Sequence, residues 1–420
     1  MYNKPINAVH VEVTDRCNSE CPGCARAAFG GPVKDFIKNK ELGLEYFTDY
    51  IGVDFCRQIK SWNFCGNLGD PSNAHDLVEI VNFLFECNPD TRIEIRTNGG
   101  ARNEKFWFNL GEAFKGKVFE KQGGVIWSID GLSETNHLHR KNVKWDKLWK
   151  NFQSYFLGLN SNLNSTDGEW IETPVNDGRE ITKFYFNSYN WSNGAWEFLL
   201  FDHNKNDIEN IKEHCKSYNL ELRIKQPYGF HYDIDTKSTF TMPVYDRQPN
   251  KDGNYDLLYT LKPYGSTNFI DDHVPFMQEN AKLTYPDPDM YNDANIEKYI
   301  SKNNYNIDID CFSISEESDF YEIFLNADGS IFPCCFHANK IQTGEKQINE
   351  MYGNYNNVLS KDNTIKDILN SNLFKKDLPA GMNGNLNGKY CYTCMDSCSN
   401  NQNIAKNLLL LGQSSVRSED

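Results

Sequence analysis

The sequence predicts an α/β protein: a parallel sheet flanked by helices, followed by a smaller domain built around a β-hairpin. Three observations lead there. Six short apolar segments alternate with amphipathic ones as far as residue 225. The residues just beyond five of the six apolar segments are glycines and polar side chains. Past residue 306 the alternation gives way to YEIFLNADGSIFPCC, which reads as strand, Asp-Gly turn and strand.

The strands are expected in AVHVEVTD (8–15), SWNFCGN (61–67), RIEIRTN (92–98), GVIWSID (124–130), AWEFLLF (195–201) and LELRIK (220–225). Helices are expected in LEYFTDYIGVDFCRQIK, AHDLVEIVNFLFECN, EKFWFNLGEAFK, VKWDKLWKNFQSYF and NDIENIKEHCKSYN. Their apolar residues recur at three- and four-residue spacing, as in Leu77, Ile80, Val81 and Leu84. In parallel α/β sheets ligands bind beyond the C-terminal strand ends. There the chain places DRCNSECPGC, GNLGDPS, TNGG, SIDGL and DHN, after the first to the fifth strand in turn. Core packing predicts no such concentration, whereas a single site assembled from five strand ends does.

Two stretches break the alternation. Residues 159–194 are rich in Asn, Ser and Gly and read as an insertion, and residues 226–305 are irregular, a candidate cover for a substrate. The expected organisation is therefore a parallel-sheet core over 1–225, the irregular region 226–305, a hairpin-containing domain over 306–407 and a frayed tail over 408–420.

Composition narrows the function. Over 420 residues, 39% hydrophobic and 14% aromatic side chains supply a real core, and the length suits two or three domains. No apolar run approaches the roughly 18 residues of a membrane span. No basic segment followed by an apolar one opens the chain, so a cytoplasmic address and no membrane partner are expected. A net charge of −15 argues against nucleic acid.

Of the 13 cysteines, Cys17, Cys21 and Cys24 share one loop, and six more fall between 311 and 398. In a reducing compartment such clusters read as metal ligands before disulfides. Cys56, Cys65, Cys87 and Cys215 stand alone and read as buried small hydrophobes. Three thiolates on one loop can hold a cluster and leave one metal position open. Zinc with a distant histidine is the alternative.

Cys17-x3-Cys21-x2-Cys24 at the end of a first strand resembles the signature of the radical S-adenosylmethionine superfamily. Gly69-Asp70-Pro71 is similar to its Gly-Gly-Glu-Pro element, with Asp for Glu. Thr97-Asn98-Gly99 and Ser128-Ile129-Asp130-Gly131 resemble the third- and fourth-strand motifs of the peptide- and small-molecule-modifying branch. Arg140 stands in the place of a recurrent arginine, and Asn204 follows the fifth strand as in relatives. Gly23 departs from the aromatic residue often found before the third cysteine. The resemblance implies a partial (β/α)6 barrel over residues 8–225. It implies an open 4Fe-4S cluster on Cys17, Cys21 and Cys24, and S-adenosylmethionine held by Gly69, Asp70, Pro71, Asn98, Ser128, Asp130, Arg140 and Asn204. Reductive cleavage would then yield a 5′-deoxyadenosyl radical that takes hydrogen from the substrate.

Farther along, Cys311, Cys334 after the hairpin, and CYTCMDSC with Cys391, Cys394 and Cys398 resemble the "twitch" form of the auxiliary-cluster domain, a shortened SPASM domain. That resemblance implies one closed auxiliary 4Fe-4S cluster on Cys311, Cys334, Cys391 and Cys394, with Cys335 and Cys398 as substitutes. Zinc is the competing occupant, since Cys-x2-Cys hairpins also make zinc ribbons.

The expected function is an enzyme that oxidises or cross-links a small molecule, peptide or protein side chain. The first strand begins near residue 8, so no preceding peptide-binding domain is expected, and a separate peptide-binding protein is among the expected partners. A reductant such as flavodoxin or ferredoxin is another. The competing classes are a non-catalytic iron–sulfur or zinc protein for electron transfer or assembly, and an RNA-modifying radical enzyme. No catalytic acid or base is identified; His137 and His139 read as polar residues at a helix start.

Overall fold

The computed structural model describes residues 5–27, 29–117, 119–120, 123–159, 168–174, 181–187, 191–225, 231–232, 240–262, 264, 309, 311, 321–342, 346–384, 391, 393–394 and 398. The chain forms two compact units, one of residues 1–10, 45–59 and 276–420, the other of residues 11–44 and 60–275. Strand β1 (Ala8–Val11) carries the chain from the first into the second.

The larger unit is the predicted α/β sheet. Strands β2 (Ser61–Cys65), β3 (Arg92–Thr97), β4 (Gly124–Ser128), β5 (Gly194–Leu199) and β6 (Glu221–Lys225) are neighbours in that order, every pair parallel. Consecutive parallel strands need crossovers, and helices α1 (Leu77–Cys87), α2 (Glu104–Phe114), α4 (Trp145–Leu159) and α5 (Ile208–Tyr218) supply them. A short helix, α3 (Asn136–His139), precedes α4. Apart from α3, these strands and helices lie where the sequence predicts them, with α4 running on to Leu159.

The two faces of the sheet differ in chemistry. Trp62, Ile93, Ile95, Trp127 and Trp196 are fully buried, and Trp127 packs among Trp107, Phe152 and Tyr155. Helices α2 and α4 approach so closely that a Cβ at Gly111 would fall 2.1 Å from the Tyr155 carbonyl oxygen, and one at Gly158 2.0 Å from that of Phe108. Alternate residues carry charge instead. Glu94 pairs with Arg92 at 3.2 Å and Arg96 at 2.5 Å, and Arg96 reaches Glu197. Glu197 also meets Arg223 at 3.5 Å and Lys225 at 3.1 Å. Burial raises the Glu197 carboxyl, but Arg96 and its neighbours outweigh that and hold it down at about 2.

Two regions are more regular than the sequence suggests. Within 159–194, the strands Gly168–Pro174 and Ile181–Asn187 pair antiparallel and extend the sheet beyond β6. Within 226–305, β7 (Phe240–Tyr245) pairs antiparallel with β8 (Leu257–Leu261). Met242, Val244 and Leu261 are buried with Phe201, and Phe29 from the cysteine loop packs against them. Much of 226–305, and the tail 408–420, lies outside the described residues.

In the smaller unit β1 lies beside β9 (Glu322–Leu325), and β9 pairs antiparallel with β10 (Ile331–Phe332). Asp328 and Gly329 form the expected turn: Oδ1 of Asp328 accepts from Ser330 N at 3.0 Å, and Gly329 has φ +85°. The Tyr46 ring fills the space where a Gly329 side chain would stand. Residues 1–10 and 45–59 therefore belong with the C-terminal segment rather than with 1–225. The first strand's partner in this unit is the distant hairpin. Helices α6 (Cys335–Gln342), α7 (Lys346–Tyr352) and α8 (Ile365–Asn370) follow.

Candidate functional site: a three-cysteine loop and a buried Cys/His centre

The loop after β1 presents Cys17, Cys21 and Cys24, all half-buried and none in a disulfide. Each sulfur meets a donor. Ser19 N donates to Cys17 at 3.4 Å, the Ser19 hydroxyl lies 3.0 Å from the Cys21 sulfur, and Arg26 N donates to Cys24 at 3.5 Å. Burial, then the Asp70 carboxylate, push the Cys17 thiol well up. Burial and Cys21 push Cys24 up to about 11. Cys17 and Cys24, which resist ionising alone yet accept from N–H donors, suit a site where a metal centre supplies the positive charge.

The other strand-end loops close on this one through Asn98. Its amide nitrogen donates to Cys17 Sγ at 3.8 Å, Asn18 Oδ1 at 3.1 Å and Asp70 Oδ2 at 2.6 Å, while its Oδ1 accepts from Asn18 Nδ2 at 3.1 Å. Asp70 accepts in addition from Asn98 N at 2.7 Å, Thr97 Oγ1 at 2.8 Å and Ser72 Oγ at 2.6 Å. Its carboxylate is thus the joint between the second and third strand ends. Pro71, buried, starts the short 3-10 turn that Asp70 caps. Gly69 is explained by backbone approach: a Cβ there would fall 1.8 Å from the Thr14 carbonyl oxygen.

Glu12, a residue the sequence reading passed over, holds this loop from below. Its two oxygens accept from Asn67 N at 2.6 Å, Leu68 N at 3.2 Å and Gly69 N at 2.8 Å. The one signal for it is an acidic residue between the apolar Val11 and Val13 of the first predicted strand. Arg26, also passed over, is buried and donates to the carbonyls of Asp15 and Leu68.

At the fourth strand end, Asp130 is fully buried, 2.5 Å from Arg140 Nε and 2.6 Å from His139 Nδ1. Burial would raise its carboxyl; Arg140 and His139 outweigh it and hold it below the usual range. The same burial lowers the His139 imidazole. Arg140 extends to Cys21 Sγ at 3.8 Å, so the cysteine loop and the fourth strand end share a cation. Asn204 is buried, and its amide is consumed internally, donating to Asp130 O at 2.9 Å and Leu199 O at 2.8 Å while accepting from Phe201 N. Ser128, half-buried, ends β4 opposite Glu197. Lys141 donates to Gly30 O and Tyr245 O, which ties the β7–β8 hairpin to the cysteine loop.

The smaller unit buries Cys311, Cys334, Cys391 and Cys394, whereas Cys335 and Cys398 are only half-buried. Among the described residues, the group of His, Cys, Asp and Glu donors that converges to within 4.8 Å is His337, Cys391 and Cys394. His337 lies in α6 with Nε2 at 3.2 Å from Cys394 Sγ and 3.8 Å from Cys391 Sγ. The Cys334 thiol is pushed up to about 12 by burial.

Fold and sites together define a class: an α/β sheet protein with a three-thiol loop at its strand ends and a second unit with a buried sulfur-rich centre. Residues 317–398 match the SPASM family, an iron–sulfur cluster-binding domain. That agrees with the domain type the cysteine pattern suggests there. Among solved structures, one described as histidine-tagged anSMEcpe with bound AdoMet is 14% identical, covering 98% of this chain and 96% of that one at a TM-score of 0.42. Another, native anSMEcpe with bound AdoMet and Cp18Cys peptide, is 13% identical over 98% of this chain and 100% of that one, TM-score 0.40. BtrN in complex with AdoMet and 2-DOIA is 21% identical over 30% of this chain and 46% of that one, TM-score 0.21. At these scores the likenesses carry no weight of their own. No helix among the described residues is long and apolar enough to cross a membrane.

Proposed function

We propose that the chain is a radical S-adenosylmethionine enzyme that takes hydrogen from a small-molecule, peptide or protein substrate, with net oxidation or cross-linking as the outcome. The observation that carries this is the Asn98 junction. One amide joins the three-cysteine loop to Asp70 of the second strand end, and Arg140 joins the same loop to Asp130 of the fourth.

In this reading Cys17, Cys21 and Cys24 hold three irons of a 4Fe-4S cluster. When bound, the cluster and S-adenosylmethionine supply the electron transfer and bond cleavage that generate a 5′-deoxyadenosyl radical. The chain's own residues position and screen. Asp70 fixes Asn98, and Asn98 and Arg140 place N–H donors at Cys17 and Cys21, tuning the sulfur charge. Gly69, Pro71, Asn98, Ser128 and Arg140 would border the cofactor, with Asp70, Asp130 and Asn204 acting through the loops they hold. The buried Met242, Val244 and Leu261 of the β7–β8 hairpin pack with Phe29 and keep water from one side of the cysteine loop. Cys311, Cys334, Cys391 and Cys394 hold the auxiliary iron–sulfur centre, and flavodoxin or ferredoxin serves as reductant.

Anaerobically reconstituted, reduced protein is expected to release 5′-deoxyadenosine from S-adenosylmethionine. Protein carrying its full iron complement that releases none contradicts the reading.

A further inference from the structure

We infer that the groove where α2 and α4 begin is the docking surface for the reductant, an acidic one-electron carrier protein such as flavodoxin. This rests on the proposed radical reading and adds where its electron enters.

Arg102, Lys144, Lys147 and Lys150 line this open groove of about 740 Å³. The three lysines are exposed, and among the described residues no ion pair takes up any of them. Glu104, Glu134 and Asp146 share the groove. Two of these acids, Glu104 and Asp146, sit in the first turns of α2 and α4, where each helix end carries about half a positive charge. The groove thus stays positive on a chain of 43 basic and 58 acidic residues. An acidic partner, repelled by such a surface at large, is steered to a local patch of opposite sign. The groove also leads to the cysteine loop. Asn151, on its wall, donates to the carbonyls of Gly99 and Ala101, both at 2.9 Å. Gly100 N donates to Asn98 Oδ1 at 2.8 Å, and Asn98 Nδ2 reaches Cys17 Sγ at 3.8 Å. Nothing wider than glycine fits between: a Cβ at Gly100 would fall 2.8 Å from Asn18 Nδ2 and 2.9 Å from Val143 Cγ1, beside Lys144. An electron leaving a carrier seated here crosses packed, hydrogen-bonded chain to a cluster ligand. The carrier is oxidised by one electron and the cluster reduced by one, with no covalent bond made or broken. A small, brief contact suffices for partners of this kind.

The test is triple charge reversal, Lys144→Glu, Lys147→Glu and Lys150→Glu, with flavodoxin as the probe. Flavodoxin binding, titrated at low ionic strength, is expected to weaken about 10-fold in the variant, and added salt is expected to weaken it in the parent. With reduced flavodoxin as donor, 5′-deoxyadenosine formation by the variant is expected to fall by a similar factor. With dithionite, which needs no docking surface, the variant is expected to match the parent, which also shows that it is folded. The neutral variant Lys144→Gln, Lys147→Gln, Lys150→Gln is expected to show the same pattern at smaller size, and it decides the matter if charge reversal impairs folding. Equal loss with both donors in the neutral variant overturns the inference. So does flavodoxin binding that is unchanged in the variants, or a parent that does not bind flavodoxin. A parent that releases no 5′-deoxyadenosine even with dithionite contradicts the proposed function instead, and the binding titration still decides where the carrier docks.

Discussion

The two cysteine centres of this chain are built in opposite ways. In the larger unit the three sulfurs sit half-buried on one short loop, and their surroundings come from separate strand ends: Asn98 from the third, Asp70 from the second, Arg140 from beyond the fourth. In the smaller unit four cysteines are buried, and His337 converges with two of them, Cys391 and Cys394. The first centre offers three sulfurs, one fewer than a four-iron cluster needs, and the second unit buries four cysteines. A short-handed, half-buried loop can admit a ligand to a metal, whereas four buried cysteines can fill every position.

The comparison breaks most easily at the loop itself. Replacing Cys17, Cys21 and Cys24 by Ala is expected to abolish 5′-deoxyadenosine formation and to lower bound iron by about half, from about eight to about four per chain. Iron analysis checks this; loss of all iron would merge the two centres into one.

Next in size is the joint between strand ends. Asp70→Ala strands buried donors on Asn98, Thr97 and Ser72, and is expected to lower the rate of S-adenosylmethionine cleavage by about 10- to 100-fold. A rate within twofold of the parent would show that the junction does not support the cluster.

Asp130→Asn leaves the buried Arg140 and His139 facing a neutral group, and is expected to destabilise the larger unit by about 3–5 kcal/mol. Because the folded-state pKa of Asp130 is depressed, its contribution is complete above the unfolded value and is lost as pH falls. The melting-temperature gap between parent and variant should therefore be full at about pH 6 and shrink below about pH 4. A gap that widens in acid reverses that sign.

The smallest effect belongs to the other unit, away from its cysteines. Thr364 caps α8 in a reciprocal box with Asp367, so Thr364→Ala should cost about 1 kcal/mol in a denaturation curve and leave iron content unchanged.

Much of the α/β core was legible because period-2 and period-3.6 patterns are strong there: the helix of Leu77, Ile80, Val81 and Leu84 lies where its spacing placed it. The Asp328-Gly329 turn was legible for the same local reason. Strands 240–245 and 257–261 were not, because one carries Pro243 and the other exposes Leu257 and Leu258. Pairing and contact with Phe201 make them strands, and neither is a local property. The cysteines announced themselves by spacing. The closeness of His337 to Cys391 and Cys394 did not, because a histidine inside CCFHANK reads as an ordinary helical residue until the fold brings those cysteines to it. Asp70 was visible as a motif residue, but its role as acceptor for Asn98 and Thr97 depends on residues about 27 positions away. Asn204 illustrates the converse: a polar residue at a strand end whose amide the fold uses internally.

Electron paramagnetic resonance of the reduced protein with and without S-adenosylmethionine tests the contrast between the open and the closed centre most directly. S-adenosylmethionine is expected to change the spectrum of the unmodified protein and to leave that of the Cys17→Ala, Cys21→Ala, Cys24→Ala variant as it was. A spectrum of the unmodified protein that ignores S-adenosylmethionine, or a variant spectrum that responds to it, would mean that the three-cysteine loop is not the open centre.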